Sequence, residues 1–180
     1  MTVVNLKYDV IQPFGNLFRK KCVLVAVEND KGQILVGPKS YMYPPTIDRL
    51  LGGGVDDGED LKSAAVREMY EELNIVIKES DLIPLTSFVS DVTDEEGHSY
   101  HNETYVYYVN IGDRPYKASD DISSVVALTK EGLSQLGDRY NSLPKHLWYK
   151  GEEGAYSWAD YAKLYGPVHK TIAKELMALK

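Results

Sequence analysis

Gly52-Gly53-Gly54-Val55-Asp56-Asp57-Gly58-Glu59, continuing through Arg67-Glu68-Met69-Tyr70-Glu71-Glu72-Leu73-Asn74-Ile75, is the stretch from which the 180-residue chain is best read. Three glycines open it. No Gly or Pro lies between Glu59 and Leu73, which predicts a helix. At about 3.6 residues per turn, Val66, Met69 and Leu73 share an apolar stripe bordered by Ala65 and Tyr70. Glu68, Glu71 and Glu72 are spaced i, i+3 and i+4, so their carboxylates gather on another side, together with Ala64 and Leu61.

Like charges at this spacing repel, and Arg67 can answer only part of the excess by pairing with Glu71. A hard divalent cation resolves it: Mg²⁺ takes oxygen ligands, a few of them carboxylates, and shares its remaining positions with phosphates and water. Mn²⁺ suits the same oxygen set, whereas nothing soft is present to favour Zn²⁺. Glycines, lacking Cβ, let the backbone approach an ion or a phosphate closely.

The stretch resembles the Nudix box, G-x5-E-x7-R-E-U-x-E-E-x-G-U with U a bulky aliphatic residue. Gly53, Glu59, Arg67-Glu68, Met69, Glu71-Glu72 and Ile75 occupy its positions, and Asn74 stands where the last glycine is expected. That glycine resembles a helix C-cap in left-handed conformation, which Asn tolerates next best. The resemblance implies an α/β/α sandwich with a mixed sheet, the box forming a loop-helix-loop between strands. It also implies hydrolysis of a pyrophosphate bond in a nucleoside diphosphate derivative: a nucleotide sugar, a dinucleotide or a nucleoside triphosphate. Glu68, Glu71 and Glu72 would hold Mg²⁺ with the Gly52 carbonyl, one of these glutamates would take the proton from water, and Arg67 would orient them. Gly53, Gly54, Tyr43 and Arg49 are the expected substrate contacts. In some Nudix families a carboxylate beyond the box completes the metal site; Glu103 is the leading candidate, ahead of Glu95 and Glu96. Two other classes stay open. An isopentenyl diphosphate isomerase-like enzyme needs a catalytic cysteine, and Cys22 lies in an apolar strand instead. A nucleotide-sensing Nudix module without turnover usually has an eroded box, and the carboxylates here are intact.

The remainder of the chain sets bounds. A net charge of -7 argues against a nucleic acid held on a basic surface, but not against a small phosphorylated substrate beside a metal. The single cysteine forms no internal disulfide and suits a cytoplasmic setting. No apolar run approaches a membrane span, and the N-terminus lacks signal-peptide form.

Strands are expected at about 3–11, Cys22–Val27, Gln33–Val36, Ile75–Ile77, Leu85–Val92, Glu103–Ile111 and Ile122–Leu128, with the polar 91–102 stretch as a loop. A helix should run from Thr129 to about Leu136, with Thr129 or Ser124 as its cap, and Ser157 should cap another, which Gly166-Pro167 should break in two. Residues 1–145 read as one domain and 146–180 as a helical, aromatic-rich extension of it. Trp148, Tyr149, Tyr156, Trp158, Tyr161 and Tyr165 there, like Tyr41 and Tyr43 upstream of the box, either cover the core or wall a substrate base. Their density also suggests a homodimer. His98, His101 and Glu103 read as a solvated loop rather than a metal site, and His146 and His169 as surface or capping residues. Glu72→Gln is expected to cut turnover and, by relieving repulsion, to leave metal-free stability unchanged or raised.

Overall fold

The computed structural model describes residues 2–38, 43–120, 122–151 and 154–179; Tyr41 lies outside them. A seven-stranded mixed sheet has the order β1-β5-β6-β2-β3-β4, with β7 on β3. Its strands are β1 (Thr2–Val10), β2 (Lys21–Asn29), β3 (Ile34–Gly37), β4 (Arg49–Leu50), β5 (Ile83–Asp94), β6 (Ser99–Gly112) and β7 (Val126–Leu128). The helices are α1 (Leu61–Leu73), α2 (Lys130–Asn141) and α3 (Trp158–Ala178), and β8 (Trp148–Gly151) pairs with β9 (Gly154–Ser157) in a separate hairpin.

Strand β2 explains the layering. It is apolar on both faces, as a central strand covered on both sides must be. Val23, Val25 and Val27 pack with Met69 and Leu73 of α1. Leu24 and Ala26 pack on the other face with Leu133 and Leu136 of α2 and with Leu164, Val168 and Ile172 of α3. The result is an α/β/α sandwich. On one edge β2 pairs in parallel with β6. On the other, the glycine loop runs antiparallel along it: Val25 N donates to Leu51 O, and Val23 N to Gly53 O, each at 2.9 Å. The sheet thereby sets the loop beside α1.

Several expectations need correction. The 91–102 stretch is mostly strand, because the Asp94 side chain builds a tight turn by accepting from Glu96 N and His98 N. Ile75–Ile77 is not a strand: Ile75 and Ile77 are buried and Val76 is exposed, without a ladder partner. Ile122–Leu128 shortens to β7. Helix α3 is unbroken through Pro167. A proline inside a helix costs about 3 kcal/mol, but Val168, Ile172, Ala173 and Leu176 beyond it are all fully buried. Each large apolar side chain contributes about 1.5–3 kcal/mol by burial, so continuation wins. The aromatic residues of 148–165 belong mainly to this core, Tyr156, Trp158, Tyr161 and Tyr165 being almost entirely buried.

Candidate active site

Helix α1 starts at Asp60, whose carboxylate accepts from Lys62 N, and ends at Asn74 with φ 54° and ψ 36°. The left-handed cap expected for Asn74 is present. Its rotation differs from expectation: Glu68 and Glu72 lie on the buried side next to Ala64, Ala65, Met69 and Leu73, while Tyr70 is exposed. Ala64 is core and leaves no open space. Charge does not force a side chain outward when cations wait inside.

Two arginines supply them. Arg67 bonds Glu59 through Nε (2.9 Å to Oε1) and Nη2 (3.0 Å to Oε2), and Nη2 also reaches Gly54 O at 2.9 Å. Its Nη1 donates to Glu68 Oε1 and Glu71 Oε2, each at 3.0 Å. Glu59 precedes the helix rather than sitting in its first turn, and it anchors Arg67. That bond, more than any other cause, holds the Glu59 carboxyl below its ordinary range. Arg49, in β4, is buried; its Nη2 donates to Gly52 O at 2.8 Å and lies 3.6 Å from Glu72 Oε1. Glu72 Oε2 accepts from Gly52 N at 2.7 Å. Burial lifts the Glu68 carboxyl above its usual range against the pull of Arg67.

The glycines are required by close approach. Gly52 has φ 130°, and a Cβ there would fall 2.2 Å from Val23 O. A Cβ on Gly53 would fall 2.4 Å from Glu68 Oε1, so that carboxylate packs directly on the loop.

A cavity of about 450 Å³ collects Gly52, Gly53, Gly54, Arg67, Glu68, Glu71, Glu72, Tyr43 and Arg49. Glu103, the leading candidate for a ligand beyond the box, is not brought there. Its carboxylate accepts from Tyr105 OH and lies 3.6 Å from His101 Nε2. Glu95 and Glu96 are in the exposed β5–β6 turn, with Glu96 Oε2 3.7 Å from His98 Nδ1. Cys22 is buried against Asn102 Nδ2 at 3.5 Å and does not line the cavity.

Sequence reasoning missed Phe18, Arg19, Asn16, Asp56 and Asp120 in this lining and left Tyr156 and Tyr161 undecided. The aromatic pair does both jobs, packing in the core and walling the inner end, where Tyr161 and Tyr43 join their hydroxyls at 2.6 Å. It also missed His169, which is buried, not a surface residue. His169 Nε2 accepts from Leu50 N at 3.2 Å and Nδ1 meets Tyr165 O at 2.6 Å, so the imidazole pins β4 to α3.

The donor set suits a hard cation: carboxylates and a backbone carbonyl, no sulfur. The packing of the Glu68 carboxylate against Gly53 and its incompletely compensated burial fit such an ion. Among the described residues no three His, Cys, Asp or Glu side chains are yet drawn to ligand spacing; Arg67 and Arg49 occupy carboxylate oxygens instead.

The NUDIX domain model matches residues 18–138. A Nudix hydrolase of Deinococcus radiodurans is 30% identical over 118 residues, 64% of this chain and 66% of that protein. An RNA pyrophosphohydrolase of Novosphingobium aromaticivorans is 36% identical over 62 residues, 34% of this chain and 38% of that protein. The chain thus matches just under two thirds of the first relative's length and well under half of the second's. The Escherichia coli dihydroneopterin triphosphate pyrophosphohydrolase superposes with a TM-score of 0.52 at 18% identity, over 66% of this chain and 86% of that one, a likeness of fold. Among the described residues no helix is long and apolar enough to cross a membrane.

Proposed function

The chain belongs to the NUDIX domain family, and from that premise we propose that it hydrolyses a pyrophosphate bond in a nucleoside diphosphate derivative with the aid of a divalent cation. The observation that carries this is the convergence of Glu68, Glu71, Glu72, Arg67 and the Gly52–Gly54 backbone on one cavity. Glu68, Glu71, Glu72 and the Gly52 carbonyl would hold Mg²⁺ or Mn²⁺. When bound, the ion neutralises phosphate charge and acidifies water.

The protein's own residues have the remaining tasks. Arg67, fixed by Glu59, sets the facing oxygens of Glu68 and Glu71. One of Glu68, Glu71 and Glu72 is the general base that takes the proton from water. Arg49 and the Tyr43–Tyr161 hydroxyl pair supply positive charge and donors at the inner end for a phosphoryl group. Residues 146–180 act as part of the same domain, contributing Tyr156 and Tyr161 to the cavity wall.

A phosphate-release panel over nucleotide sugars, dinucleotides and nucleoside triphosphates with Mg²⁺ tests the proposal. Turnover on at least one class, abolished by EDTA and restored by Mg²⁺ or Mn²⁺, is expected. Activity that survives exhaustive chelation removes the metal from the reading. Tight binding of a panel member without turnover replaces the enzyme with a sensor.

A further inference from the structure

Phe18 is 63% exposed, yet the turn that carries it is firmly held. The 3-10 turn Gly15–Phe18 is anchored by Phe14 just before it and Leu17 within it, both buried. Asn102, fully buried in β6, donates from Nδ2 to Asn16 O at 3.1 Å and to Arg19 O at 2.8 Å. Phe18 meets Tyr100 edge-on, with centroids 5.9 Å apart and planes at 87°, and Tyr100 OH is tied to Asp94 Oδ2 at 2.9 Å. The ring rests edge-on against Tyr100 and still presents a large apolar face to solvent from a rigid support. It faces the cavity that holds Glu68, Glu71 and Glu72.

The next residue, Arg19, lines the same cavity. Its guanidinium lies across the glycine loop, where a Cβ on Gly54 would fall 2.2 Å from Nη1. Among the described residues it forms no ion pair. A guanidinium with no ion pair among the described residues, beside an exposed ring and in the cavity that holds the clustered carboxylates, has the makings of a two-part recognition site.

We propose that Phe18 and Arg19 read the nucleoside end of the substrate. A purine or pyrimidine ring stacks on Phe18 at the cavity mouth, and Arg19 meets the phosphate nearest the ribose. The diphosphate then extends inward toward Glu68, Glu71 and Glu72. The direction of the diphosphate rests on the hydrolase reading; the base and phosphate contacts do not. The ligand class is a mononucleotide with a free base, as opposed to a ringless diphosphate. Base–aromatic stacking is large enough to change affinity by about tenfold.

The test measures binding to the 180-residue chain by calorimetry in EDTA, which uncouples it from turnover. The probes are adenosine 5′-diphosphate and inorganic diphosphate. The unmodified chain should bind the nucleotide more tightly. Phe18→Ala should weaken nucleotide binding about tenfold and leave inorganic diphosphate unchanged, and Phe18→Trp should retain the preference. Arg19→Met should weaken both probes. Because Phe18 is exposed, its variants should fold, and matching melting curves check this. No preference in the unmodified chain, no nucleotide binding at millimolar concentration, or equal nucleotide affinity for Phe18→Ala would each overturn the proposal. Phe18-dependent binding without hydrolysis of any panel member leaves the arm standing and sinks the hydrolase; hydrolysis indifferent to Phe18→Ala does the reverse.

Discussion

Glu72→Gln separates two accounts of the carboxylate cluster by the sign of one measurement. If the cluster were only three crowded negative charges, removing one would stabilise the metal-free protein by a few tenths of a kcal/mol per pair. The structure gives the opposite sign. Glu72 Oε1 lies 3.6 Å from Arg49 Nη2, and both residues are at least 95% buried. With an effective dielectric constant of about 20, a pair at that distance attracts by about 4–5 kcal/mol. Relief of the carboxylate's own desolvation returns a large part of this. The bond from Gly52 N, 2.7 Å in length, changes from charge-assisted to neutral and loses about 1 kcal/mol. Glu71 has a 41% exposed side chain, so its repulsion is screened and cannot reverse the balance. The net expectation is a loss of about 2–3 kcal/mol, a fall in Tm of about 5–8 °C for a domain this size. Thermal melts in EDTA at neutral pH measure it. Glu79→Gln is the control: the Glu79 carboxylate is exposed and, among the described residues, accepts only from the Ser63 hydroxyl, a bond the amide oxygen of Gln can keep, so its melt should barely move. In the presence of Mg²⁺, turnover of Glu72→Gln should also fall by about 10²-fold. A Tm in EDTA equal to or above that of the unmodified protein would refute the buried Arg49–Glu72 pairing as a source of stability.

Three further outcomes follow from the geometry. His169 is buried, and desolvation pulls its pKa down to about 4 from 6.5, so the unfolded chain binds the proton first. Its contribution is therefore complete above pH 6.5 and is lost as the pH falls toward 4, by about 3 kcal/mol; denaturant titrations should show a slope in that window that His169→Gln lacks, and equal slopes would exclude it. Asn74→Gly should match the unmodified protein in stability while Asn74→Val costs about 1–2 kcal/mol at this left-handed position, and a Val variant as stable as Asn would contradict the cap. Gly52→Ala should damage folding more than Gly54→Ala, because the added Cβ meets the Val23 carbonyl in one case and a movable Arg19 tip in the other; comparable melts would argue against the loop geometry.

What the sequence disclosed, and what it hid, follows from the range of the interactions. Helix α1, its Asn74 cap, the caps at Thr129 and Ser157, and strand β2 were all readable because each depends on neighbours within a few residues. The rotation of α1 was not. Periodicity assigns charge to the outside, and only Arg49, 23 residues upstream of Glu72 and in a two-residue strand, makes an inward Glu72 tolerable. Pro167 misled in the same way, since the burial that carries α3 past it comes from the sheet and α2. Phe18 and Arg19 carry no motif at all. Their place at the cavity depends on Asn102, more than eighty residues away.

The imidazole of His169 has a consequence for how the molecule comes apart. Among the bonds of β4, Leu50 N relies on a side chain from the far end of the chain, and Leu50 stands between Arg49 and the loop that presents Gly52. Fraying of α3 back to its third turn would therefore release not a dispensable tail but the backbone on which one wall of the cavity hangs. The helix and β4 should open as a single cooperative unit, their amides exchanging with deuterium together, although more than a hundred residues separate them along the chain.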